Sequence, residues 1–466
     1  MESVPKEILI CILGYLPYED LKRSRLVCQR FLDAASERKL WRQFILRISQ
    51  RNLSSLRNIF ELNIFKDLQK VIFTGCAMKN EHVKIILEKE IKYIQVGSNH
   101  DIENDCDMSK VSPKNLASLT MQLKEMKYHN SLMTEMTQKQ MISILAQLNK
   151  ASNITRLEFF FNNHLTSIVP EKLASALTSV TELTLVFQKL NADKYDAIFY
   201  HIYKTKTTLK VLNLPGNNLS KANPDLFGSA ITRLQSANLS DTNISPEMFG
   251  NMFMKMTRTG VRTLTHLDIA HNSRLKLICP SLLAEALNTL EAVSLKKCGL
   301  TEEQVTSLME TRIISDSSQL VEVDLSCHSS LYKIMPGIIK LFIKKLTSAT
   351  LYATKLNPIQ LEVIMDLLAR ERHSLKFLDI GGSNLSSISP SLISTSVNKI
   401  ESVILHFCKL TASQQTEILL KACRGTKLKY LDISGNGTNV SIGLLNNAQR
   451  EIRTLKHDIF SQELEK

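Results

Sequence analysis

The chain has 466 residues, 44% of them hydrophobic, so its length admits about three average domains or one long repeat body. Lysine and arginine outnumber aspartate and glutamate by 58 to 45, but they are dispersed, and no basic tract of about 5–8 residues indicates nucleic acid or an anionic membrane as a partner. The nine cysteines form no Cys-x-x-Cys pair and no zinc-ligand spacing, which favours reduced thiols in an intracellular compartment, cytoplasmic or nuclear.

The first apolar segment, residues 8–16, does not fit a secretory signal or a membrane span. Lys6 and Glu7 border it, Pro17 follows it, and no small-residue cleavage site is present. About nine apolar residues are also too few to cross a bilayer. We expect the segment to belong to a folded module instead.

Residues 1–48 predict three short helices. Pro5 can begin the first helix, because its missing amide hydrogen costs nothing in a first turn, and Pro17 ends that helix. Asp20 is placed to cap the second helix and Ser36 the third. The apolar residues at helical spacing are Ile8, Leu9, Ile12 and Leu13, then Leu21, Leu26, Val27, Phe31 and Ala34, then Leu40, Trp41, Phe44 and Ile45. So small a unit cannot hide this much apolar surface, and we expect a partner helix to cover part of it.

A repeated pattern begins at about residue 68, after a linker and N-terminal cap over residues 49–67. It reads apolar, two residues, apolar, one residue, apolar, two residues and then Asn, Cys or Thr, as in LKVLNLPGNNL from Leu209. This is the leucine-rich-repeat pattern. Three apolar side chains at strand spacing fill the core, and the polar side chain turns inward to satisfy backbone groups.

The first three copies are weak and start at Leu68, Ile91 and Leu116. The polar stretch from Asn104 to Lys114, which contains Pro113, is predicted to be a surface loop. A second irregularity is expected between residues 126 and 150. A helical insertion over residues 100–150 is the alternative.

Later copies follow one another at alternating intervals of 25–26 and 28–30 residues. Their first positions are Ile154, Val180, Leu209, Leu234, Leu264, Leu290, Leu320, Leu346, Leu375, Ile400 and Leu428. The inward residue is Asn162, Asn217, Asn272, His328, Ser383 or Asn436 in one class, and Gln188, Thr242, Cys298, Thr354 or Cys408 in the other.

The two classes also differ in how the helix after the strand begins. A proline comes next in the first class, at Pro170, Pro224, Pro280, Pro336 and Pro390. A helix-capping residue comes next in the second class, at Asn191, Ser245, Thr301, Asn357 and Thr411, with a glutamine three residues later at Gln304, Gln360 and Gln414. The structural unit is therefore a pair of repeats, and it resembles the ribonuclease-inhibitor type of leucine-rich repeat.

These elements predict an α/β protein, in which a three-helix module precedes a curved solenoid of about 14 repeats over residues 68–441. Parallel strands should line the concave face and helices the convex face. Residues 442–466, with apolar residues at roughly helical spacing up to Leu455, are expected to form a helical cap. A tail folded into the concavity is the alternative.

Residues between the core positions of each strand project into the predicted concavity. From Ile154 onward, eight acidic residues occupy these positions against three basic ones, Arg156, Lys296 and Lys297. The candidates for binding a protein are Glu158, Phe160, Phe187, Asp268, Asp324, Tyr352, Phe377, Asp379, Phe407, Tyr430 and Asp432. Acidic and aromatic side chains favour a basic or polar partner. The plainer interpretation is that Leu-Asp-Leu is frequent in such repeats.

No catalytic, cofactor or metal site is predicted. The phosphate-binding, dinucleotide, zinc-protease and nucleophile-elbow motifs do not occur. His266 and His271 have no third ligand nearby, and we expect them to be surface or turn residues. Cys298 and Cys408 occupy the inward position, where an inert buried thiol is expected.

The N-terminal segment resembles an F-box. The similarity covers about 45 residues with correct internal spacing, from VPKEIL through YL, DL and RLVCQRF to LWR, and departs from the family pattern at Val4, Ser24 and Phe31. With the repeats, it makes the chain similar to the F-box/leucine-rich-repeat (FBXL) class. By this resemblance the adaptor-facing residues are Pro5, Ile8, Leu9, Ile12, Leu13, Leu16, Leu21, Val27, Cys28, Phe31, Leu40 and Trp41.

The resemblance implies a non-catalytic substrate receptor, monomeric within an SCF-type ubiquitin ligase. The F-box would bind the Skp adaptor and, through it, the cullin and RING subunits, while the repeats hold a protein substrate. One alternative is an adaptor-bound scaffold without a ligase role. The other is a GTPase-activating protein, which needs an arginine or asparagine poised over a nucleotide.

Overall fold

The computed structural model describes residues 4–16, 18–41, 45–62, 65, 68–89, 91–96, 108, 110–123, 125–129, 137–151, 153–160, 163–205, 207–258, 263–437 and 440–457. The chain divides into two compact units, Met1–Asn217 and Asn218–Lys466. Both follow the predicted α/β plan of parallel strands joined by helices. No helix in these ranges combines the length and the apolar character needed to cross a bilayer.

The first unit begins with four short helices rather than the predicted three. They are α1 (Lys6–Leu13), α2 (Tyr18–Ser24), α3 (Gln29–Ala35) and α4 (Arg38–Trp41). The predicted second helix is divided by a turn, in which the amides of Leu26 and Val27 donate to carbonyls three residues back. Asp20 consequently lies inside α2, and Ser36 ends α3 instead of starting a third helix.

A parallel sheet follows directly in the first unit. Its strands are β1 (Ile45–Ser49), β2 (Lys70–Thr74), β3 (Tyr93–Val96), β4 (Glu125–His129), β5 (Arg156–Phe160), β6 (Glu182–Val186) and β7 (Val211–Asn213). The prediction that Ile45 belongs to an F-box helix is wrong, because residues 45–49 pair in parallel with residues 70–74. The sheet therefore starts inside the segment predicted to be F-box and linker.

Helices alternate with these strands in the first unit. They are α5 (Gln50–Leu53), α6 (Leu56–Glu61), α7 (Asn80–Leu87), α8 (Pro113–Gln122), α9 (Gln138–Ala151), α10 (Pro170–Leu177) and α11 (Ala192–Lys204). A short 3-10 turn, Asn163–Ser167, precedes α10. Asn162, the predicted inward residue of this repeat, lies outside the described residues.

The described residues between 108 and 151 continue the alternation of helix and strand, so the predicted strand at Leu116 is wrong. Leu116 lies in α8, which starts at Pro113 with Ser112 as its cap, and the strand of this repeat is β4. The stretch predicted as a surface loop therefore contains the start of a helix. The described residues also rule out a purely helical insertion, because β4 pairs with both β3 and β5.

The second unit continues the same pattern. Its strands are β8 (Ser236–Asn238), β9 (His266–Asp268), β10 (Ala292–Ser294), β11 (Glu322–Asp324), β12 (Ser348–Thr350), β13 (Phe377–Asp379), β14 (Ser402–Ile404), β15 (Tyr430–Asp432) and β16 (Thr454–Lys456). From β5 onward every strand up to β15 begins two residues after a predicted first position, which confirms those repeats. The predicted C-terminal cap is only partly helical, because β16 adds a further strand beside β15.

The helices of the second unit alternate in length. They are α12 (Pro224–Ile231), α13 (Pro246–Arg258), α14 (Pro280–Leu287), α15 (Glu302–Ile314), α16 (Pro336–Lys344), α17 (Pro358–Arg370), α18 (Pro390–Val397), α19 (Ala412–Ala422) and α20 (Ile442–Glu451). The predicted prolines begin the short helices, and the predicted capping residues precede the long ones. Two kinds of helix thus explain the two repeat lengths.

In α15, α17 and α19 a buried glutamine joins the long helix to the repeat before it. The Gln360 side-chain oxygen accepts from the amide of Asn357, closing a capping box. Its Nε2 donates to the carbonyls of Leu331 and Ile334, at 2.9 and 2.7 Å. Gln304 and Gln414 do the same, and each of the three is at most 1% exposed. One side chain therefore satisfies backbone groups of two successive repeats.

Gln140 makes the same contacts in the irregular region. Its side-chain oxygen accepts from the amide of Thr137, and its Nε2 donates to the carbonyls of Met108 and Val111 at 2.9 and 2.6 Å. A Thr-x-x-Gln capping box at 137–140 is therefore the sequence signal that places α9 among the long, capped helices.

Several inward polar residues satisfy the strand ends, as predicted, whereas the buried Ser383 hydroxyl makes no hydrogen bond to the described residues. Asn272 Nδ2 donates to the carbonyls of Leu239 and Ile269, at 2.8 and 3.0 Å, and Asn217 and Asn436 make equivalent bonds. In the other class, the Cys298 thiol donates to the Ile269 carbonyl at 3.0 Å. Each repeat thus depends on its neighbour for its buried hydrogen bonds.

Replacing Gln360 with leucine should lower the free energy of unfolding by about 2–4 kcal/mol, because two buried carbonyls and a helix amide lose their partner. Urea denaturation followed by circular dichroism measures the change. Glu362→Leu, at an exposed position of the same helix, is the control and should stay within about 0.5 kcal/mol of wild type. Equal losses in the two variants would contradict the role of Gln360.

His328 should make stability fall as the pH becomes acidic. Its Nδ1 donates to the carbonyls of Leu325 and Ser326 at 3.1 Å, and its buried Nε2 has no partner among the described residues. Burial lowers the pKa of His328 in the folded state, so the unfolded chain takes up the proton first as the pH drops below about 6.5. Stability is therefore fully present above that pH and is lost below it.

The measurement is the melting temperature of wild type and His328→Asn at pH 7.5 and pH 5.5. Asparagine is the inward residue of other repeats of this class, at Asn272 and Asn436, so the variant should lose less melting temperature on acidification than wild type does. His266→Asn, at an exposed strand position, should keep the wild-type pH dependence. An unchanged pH dependence in His328→Asn would refute the assignment.

Candidate functional site

The four N-terminal helices enclose a small apolar core. Its buried side chains are Leu9, Ile10, Leu13, Leu21, Ala34, Ala35, Leu40 and Trp41. Leu16, Phe31 and Phe65 pack against it and are partly buried. Trp41 anchors the core, because its indole Nε1 donates to the Ala35 carbonyl at 2.7 Å and its ring meets Phe65 edge-on at 5.8 Å.

The structure separates the twelve predicted adaptor-facing residues into two sets. Leu9, Leu13, Leu21, Leu40 and Trp41 are at most 7% exposed, so they hold the helices together. Pro5, Ile8, Ile12, Val27 and Cys28 are exposed, and Leu16 and Phe31 are half-buried. The predicted single stripe on the first helix is therefore two stripes, because residues i and i+1 on a helix point about 100° apart.

Two further exposed apolar side chains were not among the predicted adaptor-facing residues. Tyr15 is 90% exposed and continues the Ile8 and Ile12 stripe at helical spacing. Leu26 is 87% exposed and precedes Val27 in the turn between α2 and α3. The exposure of Tyr15 could have been predicted from its helical spacing from Ile8. The exposure of Leu26 depends on a turn that only the structure shows.

Ser24 occupies a position where F-boxes commonly have an apolar residue. It is buried, and its hydroxyl donates to the Leu21 carbonyl at 2.7 Å. Because the hydroxyl has a partner, its burial leaves no unsatisfied polar atom, and this departure from the family pattern costs little.

The strand face of the first unit carries Glu158, Phe160 and Phe187. Glu158 is only 4% exposed, and the Arg156 guanidinium lies 3.2 Å from it and 3.0 Å from Glu182. Its charge is therefore already paired. Phe160 is half-buried, and Phe187 is 47% exposed beside Gly216, where a Cβ would meet its ring at 2.2 Å.

The strand face of the second unit carries a row of aspartates. Asp268, Asp324, Asp379 and Asp432 each accept, through Oδ1, the amide two residues further on at 2.8–3.0 Å. This bond gives the Leu-Asp-Leu pattern a structural role at the strand end. Burial raises the pKa of Asp268 and of Asp379 above the usual carboxyl range.

Aromatic side chains meet at one end of this strand face. The Tyr352 and His406 rings stack with centroids 5.0 Å apart, and His406 meets Phe407 edge-on at 5.7 Å. Phe407 is 64% exposed, while Phe377 and Tyr430 are half-buried. The structure thus brings Tyr352 and Phe407 together through His406, which the sequence pattern did not single out.

The described part of the chain holds no metal site, and its two buried inward cysteines are not activated as nucleophiles. No group of three or more His, Cys, Asp and Glu side chains is arranged there to hold a metal ion. Burial raises the pKa of Cys298 and of Cys408 to about 12, so both thiols stay protonated. His266 and His271 lie at a strand and its following turn.

Comparisons with known proteins identify both parts of the chain. Residues 1–47 match the family model described as F-box-like, and residues 208–230 match the model described as Leucine Rich Repeat. The chain therefore joins an F-box-like segment to leucine-rich repeats. No curated relative matches it.

Solved structures to which this chain is similar include the following two. The crystal structure of the Rad7 and Elc1 complex in yeast is similar over 95% of this chain and 94% of that chain, with 14% identity and a TM-score of 0.49. The leucine-rich repeat-containing protein LegL7 from Legionella pneumophila is similar over 73% of this chain and 93% of that chain, with 14% identity and a TM-score of 0.37.

Leu13→Ala should destabilise the four-helix module by about 2–5 kcal/mol, because it opens a cavity at a side chain that is 1% exposed. Tyr15→Ala, two residues away and 90% exposed, should change stability by no more than about 0.5 kcal/mol. Hydrogen exchange of residues 4–41 checks both, and similar protection in the two variants would contradict the separation into core and surface.

Proposed function

We propose that this F-box and leucine-rich-repeat protein is the non-catalytic substrate receptor of an SCF-type ubiquitin ligase. The F-box-like segment binds a Skp-type adaptor, and the repeats bind the protein to be ubiquitinated. The observation that carries the proposal is the set of exposed apolar side chains on that segment.

These side chains have no structural reason to face solvent. Ile8 and Ile12 are about half exposed, at 51% and 52%, and Val27 is 65% exposed, although the module has its own apolar core beneath them. Fully burying one such side chain contributes about 1.5–3 kcal/mol. An adaptor helix that covers both the α1 stripe and the α2–α3 turn would gain enough to form a stable complex.

A receptor of this kind acts through proximity. It holds the substrate so that its lysines meet the charged conjugating enzyme, which raises their local concentration near the thioester. No catalytic side chain is required of the receptor itself. The cullin and RING subunits are reached only through the adaptor.

Replacing Ile12 and Val27 together with glutamate should reduce adaptor capture at least about 100-fold, because two charges would be buried without partners in the interface. The measurement is co-purification of the Skp adaptor with the full chain, with circular dichroism to show that the fold is retained. Ile359→Glu, at a 64% exposed isoleucine of the second unit, is the matched control and should capture the adaptor normally. Undiminished capture by the double variant would refute the assigned surface.

Two alternatives give different results in the same preparation. An adaptor-bound scaffold without a ligase role would bring down the adaptor but no cullin. A GTPase-activating protein would accelerate GTP hydrolysis by an added GTPase, and would do so regardless of the Ile12 and Val27 substitutions. Cullin in the adaptor-bound fraction and no acceleration of hydrolysis are the expected findings.

A further inference from the structure

The turns after strands β8 to β15 each fix at least one residue in the left-handed backbone region. Positive φ recurs at the residue before the inward position, as at Gly382 (75°), Phe407 (53°) and Gly435 (71°). Glycine adopts this conformation freely, whereas a side chain makes it cost roughly 1–2 kcal/mol. A phenylalanine at such a turn is therefore unfavourable for folding by itself.

Phe407 nevertheless packs beside other rings, in space that neighbouring glycines leave free. A Cβ on Gly435 would lie 2.4 Å from the Phe407 ring, and a Cβ on Gly381 would lie 2.6 Å from His406. The missing side chains let the rings of His406 and Tyr352 stack across the intervening strand. The result is a ring platform, formed by Tyr352, His406 and Phe407, with one largely exposed face at Phe407.

Two carboxylates lie beside this platform. Asp379 and Asp432 are in register with Ile404 from either side, two residues before His406. Each is 8% exposed and uses Oδ1 for its own turn. Within the described ranges neither lies within ion-pair distance of a lysine or an arginine, unlike Glu371 and Glu401, which are both paired.

We propose that the ring platform with Asp379 and Asp432 binds an arginine-bearing, extended segment of the protein partner. The planar guanidinium stacks on Phe407 while its N–H groups donate to one of the two carboxylates, which lie on either side of Ile404. This inference rests on the proposed receptor function, since it assigns the partner chemistry of the same repeats. Arginine fits because it combines a flat cation with several donors in one plane.

The charges around the platform favour a cation over other occupants. Asp379 is buried without a lysine or arginine of the described ranges within ion-pair distance, so it disfavours a phosphate or an acidic peptide and gains most from a positive charge, while Asp432 is already attracted by Lys456 on the neighbouring strand. Lys456, on the neighbouring strand, already places its ammonium over the Tyr430 ring at 5.6 Å. This contact between Lys456 and Tyr430 shows that the strand face of the second unit can hold a cation against an aromatic ring. Because the whole chain carries a net charge of +13, general attraction for a basic peptide is absent.

The test measures binding of the fluorescent peptide Gly-Ser-Arg-Gly-Arg-Gly-Ser to the full chain in complex with its adaptor, by fluorescence polarisation. A second peptide carries citrulline at both arginine positions, which keeps the planar shape and removes the charge. The variants are Phe407→Ala and the double change Asp379→Asn with Asp432→Asn, in which the amide oxygen still accepts the turn hydrogen bond.

Phe187→Ala is the matched control. Phe187 has the same left-handed backbone and lies against Gly216 as Phe407 lies against Gly435, but the acid on its strand face, Glu158, is already paired with Arg156. Thermal melting of all variants verifies folding. Asp-to-Asn changes preserve shape, so they keep the test informative even where Phe407→Ala is unstable.

We expect the arginine peptide to bind at least about tenfold more tightly than the citrulline peptide. Phe407→Ala and the double Asn variant should each weaken binding about tenfold, while Phe187→Ala stays within about twofold. Absence of binding by wild type, equal binding of the two peptides, or equal loss in Phe187→Ala and Phe407→Ala overturns the proposal. Adaptor capture is scored in the same samples, so failure of the receptor function is recognised separately.

Discussion

The hydrogen bond between a buried side-chain amide and the backbone of the neighbouring repeat is the constraint on which both units depend. Short strands of three to five residues cannot satisfy the backbone groups at their own ends. Gln140, Gln360 and Asn272 supply the missing donors and acceptors, and each joins two successive repeats. A single repeat would therefore expose core leucines and leave carbonyls without partners, so the repeats are stable only as neighbours.

The same turn geometry shapes the strand face of the repeats. The inward amide requires the preceding residue to adopt positive φ, and glycine relieves that strain at Gly216, Gly382 and Gly435. Gly216 and Gly435 each lie in the repeat next to a phenylalanine, and the absence of a side chain at the glycine leaves room for the phenylalanine ring. The aspartates on the same face each bond their own turn amide through Oδ1, and Oδ2 is not used in that bond. The frequent Leu-Asp-Leu pattern thus has a structural role at the strand end, and the binding role that we propose would use the same side chains.

The N-terminal module is constrained by its small size. Four short helices enclose a core around Leu13 and Trp41 but have too little volume to cover Ile12 and Val27 as well. Surface that a larger domain would bury remains available to a partner. Since β1 begins only a few residues after Trp41, the module and the first repeat are joined by a very short connection. In the first unit, the Trp41 ring also contacts Phe65, between the first two strands.

The sequence by itself determined the repeat period, the strand positions from Ile154 onward, the proline-started and capped helices, and the similarity to an F-box. These follow from local rules, because core spacing, proline and capping boxes act within a few residues of chain. Only the tertiary structure decided that Leu116 lies in a helix, that Ile45 and Leu455 lie in strands, which F-box leucines are buried, and that His406 joins Tyr352 to Phe407. Each of these depends on contacts between residues distant in the chain, where pairing with a neighbouring strand or helix overrides local preference.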